Sequence, residues 1–218
     1  MKKISGIIGV DEVGRGALSG PVVVAAVFLP IKAKNREIVV LKRLAKTRIR
    51  KKFQLRDSKK HTPGDREAIF ALMRQLKIVY RVARVSPGLI DRINIARAAN
   101  LAALRAVSGL IEKNKIANAK ILMDGGLFLS NSFYNKKTDY FSATTIIKGD
   151  EKFDIIKLAS IVAKVHRDKL MVRLHRNYPL YELNKHKGYG TKKHIKAIKV
   201  NGFSPLHRLT YIKKYVSI

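Results

Sequence analysis

The chain has no cysteine and no tryptophan. Without cysteine there is no disulfide framework and no thiolate metal site, so a metal would have to be held by oxygen or imidazole. No run of 18 apolar residues occurs, which argues against a membrane-spanning helix. The N-terminal Lys2 and Lys3 lead into an apolar stretch with no small-residue cleavage site, so we read no signal peptide and expect a cytoplasmic protein. Acidic residues are scarce: 15 Asp and Glu stand against 46 Lys and Arg in 218 residues, a net charge of +31. A balance of that kind points to a polyanionic partner, nucleic acid before any other. It also makes the placement of the few carboxylates informative.

What is present suffices for one substantial domain, since 46% of the residues are hydrophobic. Ile4–Val10 and Pro21–Leu29 are apolar, β-branched runs joined through Gly14, Gly16 and Gly20, as two paired strands would be. Residues 32–52 carry ten Lys and Arg and one acid, and read as a basic insertion. Thr62-Pro63-Gly64-Asp65 has the form of a helix start, followed by helical spacing of Ile69, Leu72, Met73 and Leu76. Ile78–Val85 alternates like a strand. Leu89–Lys113 is Ala-rich and reads as one helix with a break near Gly109. Lys120–Met123 and Tyr140–Ile147 read as strands. Phe153–His175, Lys192–Val200 and Leu206–Tyr215 read as helices. The pattern predicts an α/β fold with a mixed central sheet flanked by helices. It divides into a body over residues 1–175 and a C-terminal helical extension over 176–218 packed on it.

Asp11 and Glu12 end the first strand, Asp124 ends the strand at 120–123, and Asp150 lies between the next strand and the long helix. Strand ends of an open α/β sheet share a rim. Four carboxylates gathered there would repel one another unless a cation sits among them. Oxygen ligands of this kind suit Mg2+ or Mn2+. Two such ions about 3.5–4 Å apart would serve phosphodiester hydrolysis. Taken singly, Asp124 before two glycines is a turn residue and Asp150 a helix-start residue; the grouping favours a metal site. Asp154 reads as a helix N-terminal charge, Asp168 as the partner of a nearby cation, and His166 and His186 as surface histidines. Ser160, Lys164 and Arg167 fall on one face of the long helix, which we expect to follow a nucleic-acid backbone.

The motifs, taken in order, resemble the ribonuclease HII family. They are D-E-V-G-R-G at 11–16, D-S-K-K at 57–60, R-I-N-I-A-R-A-A at 92–99 and M-D-G-G at 123–126. K-G-D at 148–150, A-S-I-V-A-K-V-H-R-D at 159–168 and H-K-G-Y-G-T at 186–191 complete the series. The resemblance implies a ribonuclease H-like fold and a metal-dependent endoribonuclease. It implies cleavage of the RNA strand of RNA–DNA hybrids and nicking 5′ to ribonucleotides embedded in duplex DNA, leaving 3′-OH and 5′-phosphate. It further implies that Asp11, Glu12, Asp124 and Asp150 bind the metal. Gly14, Arg15 and Gly16 would read the ribose 2′-OH mainly through backbone groups, and Tyr189 would stack on the neighbouring sugar. Ser58, Lys59 and Lys60 correspond to a phosphate-contacting segment. The chain departs from the family pattern at K-L-A-S-I-V-A (157–163), at Glu151 and in the length of the basic segment. A monomer acting on such duplexes is expected. The competing reading is a non-catalytic basic nucleic-acid-binding protein, which would have no use for carboxylates at three strand ends.

Overall fold

Val22–Pro30 is buried along nearly its whole length, which requires that both faces of this strand be covered. The computed structural model describes residues 4–30, 61–129 and 140–216. The basic segment 32–52 and the D-S-K-K motif lie outside them. The described strands are β1 (Ile4–Val13), β2 (Val22–Pro30), β3 (Val79–Val85), β4 (Ile116–Asp124) and β5 (Tyr140–Ile146). They form one sheet in the order β3-β2-β1-β4-β5. β1 and β3 pair antiparallel with β2, while β4 pairs parallel with both β1 and β5. The sheet is therefore mixed, as expected.

The helices are α1 (Pro63–Gln75), α2 (Pro87–Ile93), α3 (Ile95–Asn114), a single turn α4 (Gly149–Lys152) and α5 (Asp154–Asn177). Alternation along the strands assigns each side chain to one of two cores. Val22, Val24, Ala26 and Phe28 of β2 meet α3, whose alanines Ala98, Ala99, Ala102, Ala103 and Ala106 bring its backbone close to the sheet. Ala25, Val27 and Leu29 meet α5 and α1 on the opposite face. β3 divides as its alternation predicts, Val79, Ala83 and Val85 to the first core and Ile78, Tyr80 and Val82 to the second. The α5 helix rests directly on β1 at Gly9, where a Cβ would stand 2.4 Å from the Ile155 carbonyl oxygen. Gly9 thus sets the depth of α5 two residues before Asp11.

The C-terminal residues form α6 (Leu183–His186), α7 (Lys192–Asn201) and α8 (Leu209–Ile212), after a 3-10 turn at Pro179–Tyr181. Tyr181, Leu183, Ile198 and Ile212 close a third core with Leu18 and Met171.

Three elements differ from the sequence expectation. The stretch 89–113 breaks at Asn94 and not at Gly109. Asn94 has φ of 65°, a left-handed value that Asn tolerates better than most residues, and its side chain accepts from the Arg97 N–H to start α3. β4 begins at Ile116, four residues early, because Asn118 and Lys120 point outward between buried neighbours. The final helix is four residues long and not ten.

Candidate active site

Beyond the Val10–Met123 pair, the parallel strands β1 and β4 next present Asp11 and Asp124. Ile7 and Val13 of β1 and Leu122 of β4 face α5, so Asp11 and Asp124 stand on that same face. The single-turn helix α4 brings in Asp150. The Gly149 N–H donates to Asp124 Oδ1 at 2.7 Å and the Asp150 N–H to the same oxygen at 3.3 Å. One carboxylate thereby anchors the segment carrying another, and receives the partial positive charge of the turn's free N–H groups. Asp11, Asp124 and Asp150 each bring an oxygen within 4.8 Å of the other two.

Asp11 and Asp150 are 4% and 6% exposed. Burial, and then the adjacent Glu12 charge, hold the Asp11 carboxyl well above the usual carboxylate range; hydrogen bonds from Ser160 and the Glu12 N–H only partly oppose this. Glu12 is the fourth expected acid; it lines the same cleft but stands outside the 4.8 Å cluster of the other three. Its Oε1 pairs with Arg15 at 3.1 Å, while Oε2 is buried with no hydrogen-bond partner among the described residues. Its carboxyl too is raised, by burial against the opposing Arg15. Three carboxylates at this separation, one of them strongly disfavoured as an anion, fit a hard divalent cation. The orphaned Glu12 oxygen adds a fourth acceptor beside them.

The acids line a cleft of about 530 Å³ shared with Gly14, Arg15, Gly16, Ser160, Lys164 and Tyr189. Gly14 has φ of +89°, and a Cβ there would lie 2.2 Å from Arg167 Nε, so only glycine fits. The carbonyls of this loop are turned inward and consumed. Arg208 donates to Gly14, Arg15 and Gly20 carbonyls at 2.7 to 3.1 Å. Arg167 donates to Pro21, Lys187 and Ser19 carbonyls at 2.7 to 3.2 Å. The Arg15 and Gly16 N–H groups have no acceptor among the described residues and remain for a ligand.

Arg167 therefore departs from its expected place on a phosphate-facing surface. It is 0% exposed, and its Nε, Nη1 and Nη2 each donate to the protein's own backbone. Lys164, one turn earlier, does line the cleft, paired to Asp168 at 2.8 Å. Asp168 also meets Arg66 at 3.6 Å, as its reading as a cation's partner anticipated. Asp154 stands in the first turn of α5 and pairs with Lys157. Ser58, Lys59 and Lys60 lie outside the described residues. Arg66 and Arg208 were not anticipated. The two histidines expected at the surface are packed instead: His166 lies edge-on against Phe70 and Tyr80, and His186 stacks on His194.

A protein-family model described as Ribonuclease HII matches residues 8–214. A ribonuclease HII of Bacteroides thetaiotaomicron is 42% identical over 203 residues, which are 93% of this chain and 88% of that protein. One from Endomicrobium trichonymphae is 40% identical over 205 residues, 94% of this chain and 84% of that protein. The crystal structure of ribonuclease H2 from Pyrococcus horikoshii OT3 superposes with a TM-score of 0.68 at 25% identity, covering 96% of both chains. A chain with this mixed sheet, this converging acid triad and relatives of this closeness belongs to the ribonuclease HII family and is a ribonuclease H.

Proposed function

We propose that the chain hydrolyses the RNA strand of RNA–DNA hybrids and nicks duplex DNA on the 5′ side of an embedded ribonucleotide, leaving 3′-OH and 5′-phosphate. The observation that carries this reading is the convergence of Asp11, Asp124 and Asp150 in a cleft also lined by a glycine loop whose Arg15 and Gly16 N–H groups have no acceptor among the described residues. Asp11, Asp124 and Asp150, with Glu12 beside them, would hold Mg2+ or Mn2+. When bound, a divalent ion supplies Lewis acidity that lowers the pKa of water and neutralises phosphate charge.

The remaining steps fall to the chain's own residues. Ser160 donates to Asp11 and keeps that carboxylate turned to the cleft. Asp124 holds Asp150 through the two N–H groups of α4. The N–H groups of Arg15 and Gly16 would donate to a sugar hydroxyl. The 2′-OH is the group by which a protein tells RNA from DNA at one site. Glu12 keeps Arg15 in line with the Gly126 carbonyl, 3.3 Å from the guanidinium, and so braces the loop over the acids. Lys164 would give a cation for the phosphate next to the scissile one, and the Tyr189 ring lines the cleft beside it, its centroid 5.7 Å from Lys164 Nζ. Residues 1–175 form the catalytic body in this reading; residues 176–218 are an extension that completes the substrate face. Ser58, Lys59 and Lys60 would add phosphate contacts. The protein would act as a monomer.

Cleavage of three end-labelled duplexes tests the proposal: a long hybrid, a DNA duplex with one ribonucleotide, and an all-DNA control. Nicking of the first two in Mg2+ or Mn2+, abolished by EDTA, is expected. Equal cutting of the all-DNA control would overturn the assigned specificity.

A further inference from the structure

Five residues behind the loop carrying Tyr189 make a chain of hydrogen bonds whose direction is set at one end. The Ser204 backbone N–H donates to His207 Nδ1 at 2.9 Å. That nitrogen is thus an acceptor, so neutral His207 carries its proton on Nε2. His207 Nε2 lies 3.2 Å from His194 Nε2. One of these two nitrogens must donate and the other accept, and His207 has already been fixed as the donor. His194 then accepts at Nε2 and keeps its proton on Nδ1, which stands 3.0 Å from the Tyr189 carbonyl oxygen. The same oxygen accepts from the Thr191 N–H at 2.8 Å. The ring of His186 lies flat on His194 at 4.2 Å, with the Gly188 N–H donating to its Nδ1 and its Nε2 reaching the Tyr181 carbonyl.

We propose that His207 and His194 are positioning residues: a neutral, one-directional relay that clamps the Tyr189 carbonyl and so fixes the ring that lines the cleft. The proposal rests on the reading of Tyr189 as a substrate contact. The surroundings agree with neutral rings. His194 and His207 are 0% and 3% exposed, and burial pushes both down to about 4. The groups facing the pair are His186 from α6, the Tyr181 ring from the 3-10 turn, edge-on to His207 at 4.7 Å, and Ser204. Glu182 and Lys187 act on His186 with opposite sign. Among the described residues, no carboxylate acts on either ring of the pair to favour a second proton. Protonation of His194 would set two N–H groups against each other at the shared Nε2 contact, and protonation of His207 would turn its Nδ1–H against the Ser204 N–H, with only Ser204 Oγ at 3.0 Å left to accept.

Long-range 1H–15N correlation spectra of the metal-free wild-type chain at pH 7 read the tautomers directly. Nε2–H on His207 and Nδ1–H on His194 are expected. Any other pair of tautomers, or a cationic ring, overturns the relay. Function is tested by a double-mutant cycle on the single-ribonucleotide duplex. His194→Leu should lower kcat/KM about tenfold, the scale of one lost hydrogen bond to a positioned group. His194→Asn, which keeps a donor near the Nδ1 position, should recover most of it. In a Tyr189→Ala background, His194→Leu should have no further effect. If the losses multiply in proteins of unchanged Tm, the histidine does not act through Tyr189 and the proposal fails. If Tyr189→Ala alone changes nothing, it is the reading of Tyr189 that fails, while the spectra still decide the relay.

Discussion

Asp11 is an anion that the fold resists. Its carboxyl is raised chiefly by burial, so in the metal-free protein it subtracts from stability at any pH above its unfolded value. The penalty is full above its folded pKa and is relieved as pH falls through that value towards the unfolded one. Asp11→Asn keeps the acceptor for the Glu12 N–H and removes the charge. In EDTA at pH 7.5 the variant should melt a few degrees above wild type, since about 1 kcal/mol moves Tm by ~2–4 °C in a chain of this size. The gap should shrink as pH is lowered from 7.5 into the range where the raised Asp11 carboxyl takes up its proton. Added Mg2+ should raise Tm of wild type and not of the variant. Calorimetry checks all three. Glu12 has a different part, since it pairs with Arg15. Glu12→Gln should weaken turnover less than loss of any member of the triad, when the variants are compared by kcat under saturating Mg2+.

The helix α5 joins the catalytic rim to the substrate surface, and its position depends on Gly9. In Gly9→Ala the new methyl meets the Ile155 carbonyl at 2.4 Å, and overpacking of this kind costs about 1–3 kcal/mol. Ser160 and Lys164 would shift with the helix, so kcat should fall along with Tm. Arg167 and Lys164 separate structure from binding on the same helix. Lys164→Ala should reduce the slope of log affinity against log salt by about 1. Arg167→Gln should leave that slope unchanged and lower Tm, because it strands buried carbonyls. Much of this was legible in the chain. The apolar, β-branched runs announced two paired strands, and the three strand-end motifs placed the acids on one rim. The role of Arg167 was not, because two of its three carbonyl partners lie 146 and 148 residues away in sequence and helical spacing marks only a polar face. The Asn94 break was hidden because helix formers flank it on both sides and one left-handed residue leaves no periodic trace. The histidine relay was hidden for the same reason as Arg167: His194 and His207 meet only after α7 folds back.

At the scale of the whole molecule, a charge of +31 surrounds a cleft lined by four carboxylates. The surplus draws in a polyanion that the acids alone would repel. Affinity for a duplex should therefore fall steeply with salt through release of counterions, whether or not the duplex contains ribose. An affinity flat between 50 and 200 mM salt, taken here as roughly the range over which such contacts are lost, would contradict a backbone-following surface. Binding and chemistry separate at Asp124, which lies on the rim between β1 and α4 and contributes no positive charge. The most direct test is the initial rate of nicking of a single-ribonucleotide duplex in Mg2+ by wild type and Asp124→Asn, with binding measured alongside. The account predicts unchanged or tighter binding and a rate loss beyond the roughly 10–100-fold typical of an outer-shell partner. Nicking by Asp124→Asn at the wild-type rate would contradict the assignment of Asp11, Asp124 and Asp150 as the catalytic centre.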